Sequence, residues 1–193
     1  MVRSIRLVAL CGIVALVGVV GLVAACSDDG DSDTAATDSA EGGGGADAAQ
    51  AAERLGEGLD AHVAGDVETA EKRYREVIQL DARNPYGYYN LGLIEQATGR
   101  AVDAEGSYRQ ALAVDPNLSA ALFNLAILRT EAGAVDEAVL LYQRVTTLEP
   151  DNADAHLNLG LLLDQLGRSD EAASELSRAT QLDPGIIDRL NAS

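Results

Sequence analysis

From residue 51 to residue 186, apolar and polar positions follow the period of a helix, and that pattern recurs every 34 residues. The blocks are 51–84, 85–118, 119–152 and 153–186. Apolar side chains hold the fifth and ninth positions of every block: Leu55/Leu59, Tyr89/Leu93, Phe123/Ile127 and Leu157/Leu161. The eighth position is always small (Gly58, Gly92, Ala126, Gly160), and the twentieth is always alanine (Ala70, Ala104, Ala138, Ala172). The twenty-fourth position is large: Tyr74, Tyr108, Tyr142 and Leu176. A glycine stands at the fifteenth position of each block (Gly65, Gly99, Gly133, Gly167) and divides it into two stretches that read as helices. Glycine suits the left-handed position just past a helix end. Asn84-Pro85 reads as a helix start, because Asn caps, Pro fits the first turn, and Pro pushes its predecessor out of the helical region. Such a helical hairpin cannot bury its own apolar face, so stacking on neighbours must supply the core.

The recurring phrases YYNLGLIEQATGR, LFNLAILRTEAGA and HLNLGLLLDQLGR carry this pattern most openly. With the alanine, the large residue and Pro116, Pro150 and Pro184 that follow, the chain resembles the tetratricopeptide repeat (TPR), whose period is 34 residues. Departures occur at the usual Trp position (Arg54, Tyr88, Leu122, His156) and at the first Tyr position (Ala61, Glu95, Arg129, Leu163). The first block is the most degenerate, as suits a terminal unit. The resemblance implies an all-α fold, an α-solenoid of four helix-turn-helix units forming a right-handed superhelix. It also implies an inner groove lined by the first helix of each unit.

By helical phase, positions two, five, six, nine, twelve and thirteen share that inner face. The candidate peptide-binding residues are Tyr86, Tyr89, Asn90, Leu93, Phe123, Asn124, Ile127, Leu157, Asn158 and Leu161. An asparagine amide both donates and accepts, which matches the polar groups of an extended peptide backbone. Asn90, Asn124 and Asn158 serve equally well as bonds between neighbouring helices, and the sequence leaves both readings open. Members of the resembled family that clamp acidic C-terminal peptides use Lys and Arg at positions two and six. Here those positions hold Ala52/Gly56, Tyr86/Asn90, Ala120/Asn124 and Asp154/Asn158, with Glu131 and Asp164 near the same face. A neutral or basic segment is therefore the expected ligand.

The first 26 residues have a different grammar. Arg3 and Arg6 precede an uncharged run from Leu7 to Ala25, as in a secretory signal peptide. Val23-Ala24-Ala25-Cys26 resembles a bacterial lipobox, which implies removal of residues 1–25 and lipidation of Cys26. The expected location is then extracytoplasmic, anchored to the cell membrane through acyl chains. Residues 27–50 lack aromatic, Leu, Ile, Val and basic residues, and are expected to form a disordered acidic tether.

Charge narrows the partners. The chain has 31 acidic and 14 basic residues, for a net charge of -17, and such a surface repels a phosphate backbone. No nucleic acid is expected, and no cofactor. His62 and His156 fall in different blocks, and Cys11 lies in the apolar run, so no metal site is expected either. His156 stands at a core position and reads as a packed histidine. No nucleophile has a base partner at a recognisable spacing, which argues against an enzyme. After Leu182, only Ile186 to Ala192 can cap the last exposed face, with 187–193 as a short tail. The leading expectation is a membrane-tethered protein–protein interaction scaffold. The second is a structural assembly factor of an envelope complex that binds through its outer face or C-terminal end. The oligomeric state stays open between a monomer and weak self-association.

Overall fold

The computed structural model describes residues 43–192. The signal-like run, Cys26 and residues 27–42 of the expected tether lie outside the described residues. The chain forms α1 (Gly43–Val63), α2 (Val67–Leu80), α3 (Pro85–Ala97), α4 (Ala101–Val114), α5 (Ser119–Glu131), α6 (Val135–Leu148), α7 (Ala153–Gln165), α8 (Ser169–Leu182) and α9 (Ile186–Ala192). Helices α1 to α8 pack as consecutive antiparallel pairs, and each pair stacks on the next to give an all-α solenoid.

The same turn closes every pair. Gly65, Gly99, Gly133 and Gly167 have φ of 78°, 76°, 75° and 75°, a region open to glycine at no steric cost. In the second pair, Gly99 N–H donates to the Gln96 carbonyl at 3.0 Å and Arg100 N–H to the Glu95 carbonyl at 2.8 Å. That is the Schellman arrangement, and it satisfies carbonyls that the helix end would leave bare. The same two bonds recur after α1, α5 and α7. At helix starts, the Asn84 side chain accepts from Tyr86 N–H at 3.0 Å, with Pro85 in the first turn, and Asn152 accepts from Ala155 N–H at 2.9 Å.

Close packing explains the small residues. A Cβ added to Gly92 would lie 2.6 Å from Cε1 of Tyr108, and one added to Gly58 would lie 2.6 Å from the same atom of Tyr74. The tyrosines at position twenty-four are fully buried across these contacts. Burial raises the Tyr74 hydroxyl to about 12 and raises that of Tyr142 as well, so both stay protonated hydrogen-bonding groups.

Two boundaries differ from the sequence reading. Helix α1 begins at Gly43, so residues 43–50 are helical where a disordered tether was expected. Ala46, Ala48 and Ala49 have high helix propensity, and they extend a helix already nucleated by packing at Ala51. At the other end, α9 spans Ile186–Ala192, the stretch that the sequence offered as a cap, so Ile186, also counted in the last block, belongs to the cap. Ile186 is buried against Leu157 and Ala179, where a further first helix would otherwise dock.

Candidate functional site

The first helices α1, α3, α5 and α7 each carry an apolar core stripe and a second, partly accessible stripe. Leu59 and Tyr86 are 43% and 40% exposed. Tyr89, Leu93, Phe123, Asn124 and Leu161 are half-buried. Together they leave an apolar and aromatic strip on the face that helical phase assigned to the groove. Phe123 and Tyr89 are braced from behind: Phe123 meets Tyr142 edge-on at 5.5 Å, and Tyr89 meets Tyr108 at 6.0 Å. These contacts fix the rings without covering them.

The structure divides the sequence-derived site residues. Ile127 and Leu157 are buried, the latter beneath Ile186 of α9. Asn90 and Asn158 are 7% and 1% exposed. The remaining six (Tyr86, Tyr89, Leu93, Phe123, Asn124, Leu161) retain surface that a ligand can touch.

The asparagine amides are engaged within the fold. Asn90 Nδ2 donates to the Tyr86 carbonyl at 2.8 Å, and Asn124 Nδ2 donates to the Ala120 carbonyl at 2.9 Å. Asn124 also reaches the Tyr89 hydroxyl of the preceding pair at 3.4 Å, and Asn158 donates to the Tyr142 hydroxyl at 3.2 Å. These amide N–H groups therefore bind their own helix or the neighbouring pair. Asn124 keeps the most surface of the three. Asn158 Oδ1 is buried without a hydrogen-bond partner among the described residues.

Both histidines are built into packing. His156 is buried, with Nδ1 2.5 Å from Glu175 Oε2 and Nε2 3.1 Å from the Pro150 carbonyl. It thus joins α7 to α8 and to the preceding loop. His62 rests on Tyr74, its Nδ1 3.4 Å from the hydroxyl. Among the described residues, no group of three or more His, Cys, Asp or Glu could hold a metal ion, and no helix is long and apolar enough to cross a membrane.

Sequence reasoning missed the links between successive pairs on the side of the second helices. Arg100 of α4's leading turn grips Glu71 of α2 in a bidentate pair at 2.8 and 2.9 Å. Arg129 of α5 pairs with Glu105 of α4 at 2.9 Å and, within its own pair, with Glu137 of α6 at 2.9 Å. Arg144 and Arg178, at equivalent positions, each donate to the carbonyl of the preceding block's proline, Pro116 and Pro150. The arginines were visible in the sequence, but the pairing depends on the offset between stacked helices, which the sequence does not state.

The comparisons agree with this geometry. The family model of the cilia and flagella-associated protein 70 middle TPR-like domain matches residues 48–183. No curated protein matches the chain. Among solved structures, a crystal structure of MamA superposes with a TM-score of 0.64 at 21% identity, covering 75% of this chain and 84% of that one. A tetratricopeptide repeat protein from Parabacteroides merdae gives 0.62 at 26% identity, covering 70% and 54%. The first TPR of Spaghetti (RPAP3), bound to the HSP90 peptide SRMEEVD, gives 0.59 at 22% identity, covering 62% and 95%.

Proposed function

The chain belongs to the family of the cilia and flagella-associated protein 70 middle TPR-like domain, and from that premise we propose that it is a membrane-tethered interaction scaffold. In this reading, four TPR units present the strip of Leu59, Tyr86, Tyr89, Leu93, Phe123 and Leu161 to an extended segment of a partner protein. The observation that carries it is this strip of accessible rings and aliphatic groups, backed by buried tyrosines that hold it rigid. Rigid amphipathic rings give large contact area at low entropic cost.

Charge selects the partner. No Lys or Arg stands at positions two or six of any first helix, while Glu131, Asp154 and Asp164 stand on or near the face. The RPAP3 repeat holds a peptide ending in acidic residues; the chemistry here favours a neutral or basic segment instead. In this reading the anchor is a lipidated Cys26, and the acidic stretch that follows it in sequence separates the anchor from the repeats. Nothing in the scaffold reading calls for catalysis, a cofactor or nucleic acid.

The test is a photocrosslinking residue in place of Tyr86 in intact cells, with a matched probe at the exposed Leu140 on a second helix. The expected outcome is a discrete adduct from position 86, absent from 140, on a partner segment that is neutral or positively charged. Equal adducts from both positions, or an acidic segment, would contradict the groove. In parallel, Cys26→Ser should move the protein out of the membrane fraction; retention there would contradict the lipid tether.

A further inference from the structure

A second cleft, unrelated to the groove, opens between α2 and α4 on the opposite side of α3. It has a volume of about 540 Å³. Its floor is Tyr88, Leu91 and Glu95 of α3, and its walls include Ile78 and Val102. Glu95 is 5% exposed, yet it faces this cleft. One carboxylate oxygen accepts from the Ser107 hydroxyl at 2.6 Å. No ion pair reaches Glu95 among the described residues: Arg100, near enough to feel its charge, is turned to Glu71, and Arg75 is paired with Glu71 too.

The next joint along the solenoid shows what is missing. At the position equivalent to Glu95 stands Arg129, which donates a hydrogen bond to Glu105 of α4 and forms an ion pair with Glu137 of α6. The wall residue equivalent to Gly106 is there Leu140. So the second joint supplies its own cation, and the residue equivalent to Ser107 is there the buried Leu141, while Leu140 adds an apolar but largely exposed side chain at the wall. The first has a buried anion, an empty wall position at Gly106, and open space where that side chain would be.

We propose that the α2–α4 cleft is a binding site for a cationic side chain, arginine or lysine, of a partner protein docked on the second-helix face. The ammonium or guanidinium meets the Glu95 carboxylate beside Ser107, and the aliphatic stem lies along Ile78, Leu91 and Val102. The two rim arginines do not oppose it, because Glu71 answers them and Asp103 adds a further carboxylate at the wall. The site is independent of the first-helix groove, since Tyr88, Leu91 and Glu95 leave α3 on the side away from Tyr86, Tyr89 and Leu93.

The test titrates N-acetylarginine methylamide, its lysine counterpart and the neutral citrulline counterpart into the full chain, reading backbone amide shifts by NMR. The expected result is saturable movement of Leu91, Gly106 and Ser107 with the two cations and none with citrulline. Glu95→Gln should weaken it by about tenfold or more, the loss of one charge-assisted hydrogen bond. Gly106→Leu keeps Glu95 and copies the neighbouring joint, so it should block the cleft in a folded chain even if Glu95→Gln perturbs folding. Citrulline shifts equal to those of arginine, undiminished binding to both variants, movement centred on Tyr86 and Tyr89, or no saturable movement at all would each overturn the proposal.

Discussion

The joint between the first and second helix pairs and the joint between the second and third differ at most of the positions that line the first, and two of these differences change charge and bulk most. Where one has Glu95 and Gly106, the other has Arg129 and Leu140. The closed joint ties α4, α5 and α6 together through Arg129, Glu105 and Glu137, with Arg109 adding a bond to Glu137 at 2.8 Å. The open joint relies on Arg100 and Glu71 at its rim, and its floor faces the cleft. The difference teaches that a repeat fold needs only its packing positions. The remaining surface positions decide whether a joint is sealed from within or left for something else to occupy.

The largest expected contrast comes from the equivalent leucines at the two floors. Leu125→Ala should cost about 3 kcal/mol in urea unfolding, because its cavity is enclosed. Leu91→Ala should cost less, about 2 kcal/mol, because water can enter the space it leaves. Equal costs would mean the first joint is as closed as the second.

Exchanging each special residue for leucine, the residue at the same position in the fourth block, should separate the joints in sign. Arg129→Leu should destabilise by about 1–2 kcal/mol, an effect that shrinks with added salt, since its partners are partly exposed. Glu95→Leu should stabilise by about 1 kcal/mol, because it removes a buried carboxylate with few partners. A destabilising Glu95→Leu would show that the carboxylate holds the fold rather than a site.

A smaller effect is expected at the walls. Gly106→Ala should stabilise α4 by about 0.8 kcal/mol, with no contact to disturb, while Leu140→Ala at 62% exposure should be close to neutral. Thermal melts of the two variants would check this pair.

The smallest effect is a pH signature of the open joint's rim. The hydrogen bond from Arg100 holds Glu71 below its ordinary value of 4.5. A carboxylate depressed in the folded state contributes stability that is fully present above 4.5 and lost as pH falls through its lower folded value. Glu71→Gln should therefore flatten the stability–pH curve in that acid range only. An unchanged curve there would remove Arg100–Glu71 as a brace of the first joint.

Much of the solenoid was legible in the sequence because its determinants are local and periodic. Gly99 and its equivalents mark left-handed turns wherever they stand, and Asn84-Pro85 announces a helix start without help from the rest of the chain. The interior of the groove was less legible. Helical phase places Ile127 and Leu157 on the groove face, but it does not state how closely the neighbouring helix approaches, and α9 covers Leu157. The same holds for Asn158, whose amide turns to Tyr142 of the preceding pair. Helix α1 extends to Gly43 through alanine propensity that the polar composition of the stretch concealed. The α2–α4 cleft was invisible, because Glu95 and Gly106 read simply as departures from a repeat pattern until the stacking set them against Arg129 and Leu140.

The turn described above closes on itself: both of its hydrogen bonds join residues at most five apart along the chain. It asks nothing of the pair before or after it. A gene that duplicates or deletes a whole 34-residue block would leave every such turn with its bonds intact. Only the joint at the new junction would have to be matched afresh. The length of this array is thus a quantity that heredity can adjust in whole units, while the character of each joint is adjusted one side chain at a time.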